Sequence, residues 1–150
     1  MMSSTWLRIS AGFTVFLAAG HTFGAVLASP SHGAGESALR DAMRTFRVTE
    51  MGMERSYWDF YFGSGWTITA LLVASAAVMW WLAPVAKQSP SGARPLILAL
   101  AGGYAAVTVI SALYFVTAPI VVAALITMCL GGAERTATSF TEVRRHALHL

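Results

Sequence analysis

Long apolar blocks, parted by short polar or aromatic segments, set the pattern of this chain. Residues 7–28 carry only Arg8 and His21 as ionisable groups. As a helix rising about 1.5 Å per residue they span ~33 Å, enough for a hydrocarbon core of ~30 Å. A secretory signal peptide is the rival, because Val26-Leu27-Ala28 resembles a small-residue cleavage site. The stretch is longer than an ordinary signal-peptide core of about 7–15 residues, which favours a membrane helix. Residues 57–82 form the second block, with Tyr57, Trp58, Tyr61 and Trp66 at one end and Trp80 and Trp81 at the other. Such rings collect where a membrane meets water, since one end is apolar and the other wet. A loop over 84–95 follows. Residues 95–132 are apolar throughout, ~57 Å as one helix, so they must break to fit a bilayer. Thr117-Ala118-Pro119 is the expected break, because proline disfavours helix before it and suits a new first turn. Spans over 96–116 and 119–133 result, with a tail over 134–150.

Between the first two spans the periodicity changes. Ser29-Pro30-Ser31-His32-Gly33-Ala34-Gly35 reads as a turn. Ser37 can cap a following helix, and Glu36 and Asp41 suit its positive end. Leu39, Met43, Phe46, Glu50, Met53 and Tyr57 keep the three-and-four spacing of one helical face, with Arg40, Arg44 and Arg47 on another. The spacing predicts an amphipathic helix over 36–55, lying on the membrane or against the bundle and able to run into span two. The expected fold is all-α: a single membrane domain over 1–150, an integral membrane four-helix bundle with an amphipathic helix between spans one and two.

Composition strengthens the membrane reading. The chain is 56% hydrophobic and 11% charged, against about half and a quarter in soluble domains. Its net charge of +3 does not signal nucleic-acid binding, because the basic residues flank apolar blocks rather than covering one face. Arg8, Lys87, Arg94, Arg135, Arg144 and Arg145 lie on the side of the termini, and Arg40, Arg44, Arg47 and Arg55 on the other. The excess on the first side predicts cytoplasmic termini in the cytoplasmic membrane. Cys129 is alone, so no intramolecular disulfide forms, and packing is its expected role. No internal repeat is apparent.

The chemistry-bearing residues within the apolar blocks are few. His21 lies ~10 Å below the outer end of span one by helical rise, and Asp59 enters span two from the same side. Counted the same way, Thr22, Ser64, Thr108, Ser111 and Tyr114 fall in that leaflet as candidate ligand-binding groups. A carboxylate beside an imidazole fixes its tautomer and raises its basicity, so His21 and Asp59 are the candidate catalytic pair. The plainer reading is a polar tie between two helices, since an ionisable group in lipid needs a partner. Gly20 and Gly24 flank His21 at the spacing that lets helices approach closely. Glu50, Glu54 and His32, with Met43, Met51 and Met53 nearby, match no metal-ligand motif. Arg47 and Arg55 can neutralise those glutamates, so no metal and no cofactor are expected. Phosphate loops, nucleophile elbows, His-Glu-x-x-His and Cys-x-x-Cys are absent from the sequence.

Gly20-His21-Thr22-Phe23-Gly24 together with Met51-Gly52-Met53-Glu54-Arg55-Ser56-Tyr57-Trp58-Asp59-Phe60-Tyr61-Phe62-Gly63-Ser64-Gly65 resembles a small uncharacterised bacterial family of four-helix integral membrane proteins. Ser64 stands where that pattern has an aromatic. The resemblance implies the four-helix architecture, draws attention to His21 and Asp59, and implies no reaction. The expected role is binding a lipophilic molecule or a membrane partner through an outer-leaflet polar pocket. The alternatives are a membrane-embedded isomerase or oxidoreductase acting on a lipid or quinone through His21 and Asp59, and a small proton-coupled exporter. Membrane lipid, a lipophilic small molecule and a homo-oligomer or larger membrane complex are the expected partners.

Overall fold

The computed structural model describes residues 3–29 and 32–147, with side chains described through residue 137. Pro30 and Ser31 of the expected turn, the side chains of Arg144 and Arg145, and the end of the expected tail lie outside the described residues. The elements in chain order are α1 (Ser3–His21), continued by a π-helical turn (Thr22–Val26), α2 (Ala34–Thr45), β1 (Arg47–Glu50), β2 (Met53–Ser56), α3 (Tyr57–Gln88), α4 (Pro90–Tyr114) and α5 (Thr117–Ala147). Four of these helices are long and apolar enough to cross a membrane. The fold is all-α in its spans, with one amphipathic helix, α2, between the first two.

The boundaries differ from the expected ones where proline is tolerated. The segment expected as a loop over 84–95 is helical except for Ser89. Pro84 lies inside α3, while Pro90 opens α4, where its missing N–H costs nothing because first-turn amides have no helical partner anyway. The apolar run breaks at Phe115 and Val116, with Pro119 in the first turn of α5. That helix continues through Ala147, so the first part of the expected tail is helical.

The chain divides into two compact units, residues 1–17 with 72–150 and residues 18–71. The first is a four-helix bundle built from the start of α1, the end of α3, α4 and α5. Its core is Leu7 and Ala11, then Met79, Leu82, Ala83 and Ala86, then Ala93, Ile97 and Tyr104, then Ile126, Leu130 and Ala133. Each set repeats at three, four or seven residues, the seam spacing of packed helices. Alanine is frequent at these positions and lets backbones approach, which matters in lipid because apolar burial alone does not drive helices together. Gly132 takes this furthest: a Cβ there would stand 3.0 Å from Trp6 Cε2. Buried hydroxyls are satisfied. Thr14 Oγ1 donates to the Ser10 carbonyl at 2.8 Å, and the Ser75 and Tyr104 hydroxyls meet at 2.7 Å. Large apolar side chains such as Phe16, Leu71, Trp81, Leu113 and Met128 are exposed. Exposure on that scale is foreign to a monomer in water and ordinary in hydrocarbon.

The second unit contains a correction. The expected amphipathic helix over 36–55 stops at Thr45, and residues 47–56 form an antiparallel hairpin pairing Arg47 with Ser56 and Glu50 with Met53. The three-and-four spacing is real, but β-branched Val48 and Thr49 and the Met51-Gly52 turn override it. Met51 and Gly52 have φ of 51° and 78°, the left-handed pair that a two-residue hairpin turn requires. The Tyr57 amide closes the hairpin onto the Phe46 carbonyl at 3.2 Å, and the Phe46 and Tyr57 rings meet edge-on at 5.3 Å. Arg47 and Glu54 pair at 3.6 Å on its surface.

Gly132→Leu should overpack the Trp6 contact and lower stability by about 1–3 kcal/mol. Thermal unfolding in detergent, followed by helical circular dichroism, reads this as a lower midpoint; an unchanged midpoint would deny that the glycine is needed there.

Candidate functional site

In the second unit the end of the first span and the start of α3 are joined by a ladder of polar contacts one helical turn apart. His21 Nε2 lies 3.1 Å from the Gly65 carbonyl, so that nitrogen carries a hydrogen and donates. The Thr22 hydroxyl donates to the Ala18 carbonyl at 2.8 Å and meets the Thr69 hydroxyl at 3.0 Å. One turn further along the first span Val26, which is buried, sits on Gly65. A Cβ at Gly65 would come within 2.8 Å of Val26 Cγ2, so this approach demands glycine. The close approach expected at Gly20 and Gly24 is not made there, since nothing lies within 4 Å of a Cβ at either position. The π-helical turn begins directly after His21; one residue is inserted in the helix where the polar contacts begin, a common accompaniment of functional positions.

Asp59 is committed elsewhere. Its Oδ2 accepts the Ser56 amide hydrogen at 2.8 Å, while its own amide donates to Ser56 Oγ at 3.1 Å. This reciprocal pair is a capping box at the start of α3, with the carboxylate also meeting the positive end of the helix dipole. His21 and Asp59 share no hydrogen bond. A helix running from α2 into span two would carry Asp59 to a depth similar to that of His21; the hairpin removes that continuity and leaves Asp59 exposed in the first turn of α3. The Ser64 hydroxyl donates to the Tyr61 carbonyl at 2.8 Å. Thr108, Ser111 and Tyr114 belong to α4 in the bundle unit. Thr108 donates to the Tyr104 carbonyl at 2.8 Å, Ser111 is buried and Tyr114 is exposed.

The cleft of this unit uses other residues. An open cavity of about 430 Å³ is lined by Val26, Leu27, Ala28 and Ser29 after the first span, Ser37, Arg40, Asp41 and Arg44 of α2, and Trp58 and Phe62 of α3. That volume lies in the ordinary range for small-molecule sites, about 300–1,000 Å³. Arg40 and Arg44, one turn apart, place their guanidinium carbons 5.2 Å and 4.9 Å from the centre of the Trp58 ring. Trp58 in turn stacks on Phe62 at 5.9 Å. Arg40 also donates to the Ala28 carbonyl at 3.1 Å and to Glu36 at 3.0 Å, strapping α2 to the end of the first span. The lining therefore mixes apolar, cationic and other polar groups, and can hold a molecule with both apolar and polar character.

None of the candidates Thr22, Ser64, His21 and Asp59 lines this cleft. The signal for it was the repeat of arginine at Arg40 and Arg44 on one face of α2, together with the aromatic run that begins at Tyr57 and Trp58. Among the described residues no three of His, Cys, Asp and Glu gather at one place.

Ser56→Ala and Asp59→Ala should each loosen the start of α3 by roughly 0.5–2 kcal/mol. Because both remove the same reciprocal pair, the double variant should cost less than the sum. Hydrogen exchange at the Trp58–Phe60 amides measures it, and full additivity would deny the capping box.

No protein-family model matches this chain, and neither the curated proteins nor the solved structures give a match.

Proposed function

We propose that this protein is an integral component of the cytoplasmic membrane, with both termini in the cytoplasm, that binds a lipophilic molecule in the cleft beneath α2. The observation that carries the reading is the composition of that cleft. Val26, Leu27, Phe62 and the Trp58 ring offer apolar contact, while Arg44, resting on that ring, offers donors in the same cleft. Trp58 and Phe62 belong to the aromatic run that opens span two, the level at which a bound molecule keeps one end in lipid and the other near water. With cytoplasmic termini this level is the outer leaflet, and α2 with its hairpin lies outside the cytoplasm. Surrounding lipid and a lipophilic molecule are the partners this site suits, whether one chain or a larger membrane complex presents it.

Acid–base chemistry at His21 and Asp59 draws less support. It needs the two side chains within hydrogen-bond reach, and each is bonded to another partner. Proton-coupled export rests on no specific observation.

Ser37→Trp fills the cleft without removing an arginine or an aromatic wall. Native mass spectrometry of gently extracted protein should find an amphiphile on the unaltered chain and lose it in this variant; equal retention would overturn the proposal. Alkaline phosphatase fused after Glu50 should be active, and fused after Leu150 inactive. The reverse pattern would overturn the orientation.

A further inference from the structure

We infer that the molecule bound in this cleft is an amphiphile bearing a single anionic head, a phosphate or carboxylate, received by Arg44; this rests on the binding reading above. Two like charges one turn apart on a helix repel each other. Here both are held over one indole, whose electron-rich face compensates them and keeps them side by side. Their remaining contacts differ. Arg40 is 20% exposed and spends its terminal nitrogens on the Ala28 carbonyl and Glu36. Arg44 is 54% exposed, and its nearest carboxylate, Asp41, stands 4.0 Å away, beyond hydrogen-bond length. Its guanidinium donates no hydrogen bond to the described residues, yet Trp58 fixes its position.

A planar donor fork held in place without an acceptor matches the two oxygens of a phosphate or carboxylate. Ser29 and Ser37 line the same cleft, and the Ser29 hydroxyl can add a donor. Asp41 also lines it and would repel extra negative charge, which restricts the head to one anionic group. In the same cleft the side chains of Val26, Leu27 and Phe62 are hydrocarbon. An inorganic anion would leave that wall uncovered, and a neutral lipid would leave Arg44 unanswered. An anionic amphiphile meets both.

The test uses the full chain purified in a neutral maltoside detergent, with binding read by native mass spectrometry. The probes are dodecyl phosphate, lauric acid, dodecanol and inorganic phosphate. Dodecyl phosphate and laurate should bind about tenfold to a hundredfold more tightly than dodecanol, the range expected of a charge-assisted hydrogen bond. Arg44→Gln should abolish that gap and leave dodecanol unchanged. Arg44→Lys should keep part of the gap. Arg47→Gln, which removes the same charge from β1, should keep all of it. A gap that survives Arg44→Gln, or that falls equally in Arg47→Gln, overturns the inference. So does equal binding of dodecanol and dodecyl phosphate; if Ser37→Trp still abolishes both, the binding reading stands without the anion. Inorganic phosphate binding as tightly as dodecyl phosphate would assign Arg44 to a free ion and overturn the amphiphile. Absence of binding by every probe overturns both readings together.

Discussion

Hydrocarbon offers no hydrogen-bond partner, so every amide and hydroxyl inside it must be satisfied by the protein itself. This constraint orders the rest of the structure. It makes each apolar block a helix, whose amides and carbonyls pair within the segment. It sends the hydroxyls of Thr14, Thr22, Thr69, Thr108 and Thr127 back to carbonyls of their own helices. It also gives His21 a partner in the Gly65 carbonyl. Among the described residues no buried side-chain nitrogen or oxygen lacks a partner.

Outside the spans water can satisfy the backbone, and there the chain departs from simple helix. The hairpin between α2 and α3 ends at Ser56, which is at once the last residue of β2 and the cap of α3. That double role determines where α3 begins and therefore where Trp58, its second residue, stands. Arg40 and Arg44 then rest on Trp58, so the shape of the cleft follows from a capping interaction and a tight turn. Met51 in that turn holds a left-handed φ of 51° with its side chain almost wholly exposed. Nothing in the structure explains why methionine, rather than asparagine or glycine, occupies it.

Much of this was legible in the order of residues. The lengths of the apolar blocks, the aromatic belts and Pro119 are local signals, and they located four membrane helices and the break before α5. The amphipathic character of α2 was equally plain in Leu39, Met43 and the arginines. The hairpin was not, because Phe46, Glu50 and Met53 keep a helical spacing by coincidence while Val48, Thr49 and Gly52 decide the backbone. Helical rise alone misplaces Asp59, because the hairpin interrupts the helix along which its depth is counted.

The sequence by itself determined that four segments are long and apolar enough to cross a membrane and which few polar groups they carry, because hydrophobic length and composition are properties of a segment alone. Only the tertiary structure decided which atom each polar group meets. His21 finds a carbonyl rather than Asp59, and Arg44 finds an indole rather than a carboxylate. Those outcomes depend on which turn of the neighbouring helix stands opposite, and that is set by close approaches such as Val26 on Gly65. Periodicity reports the face of a helix; it carries no information about the height at which two helices meet.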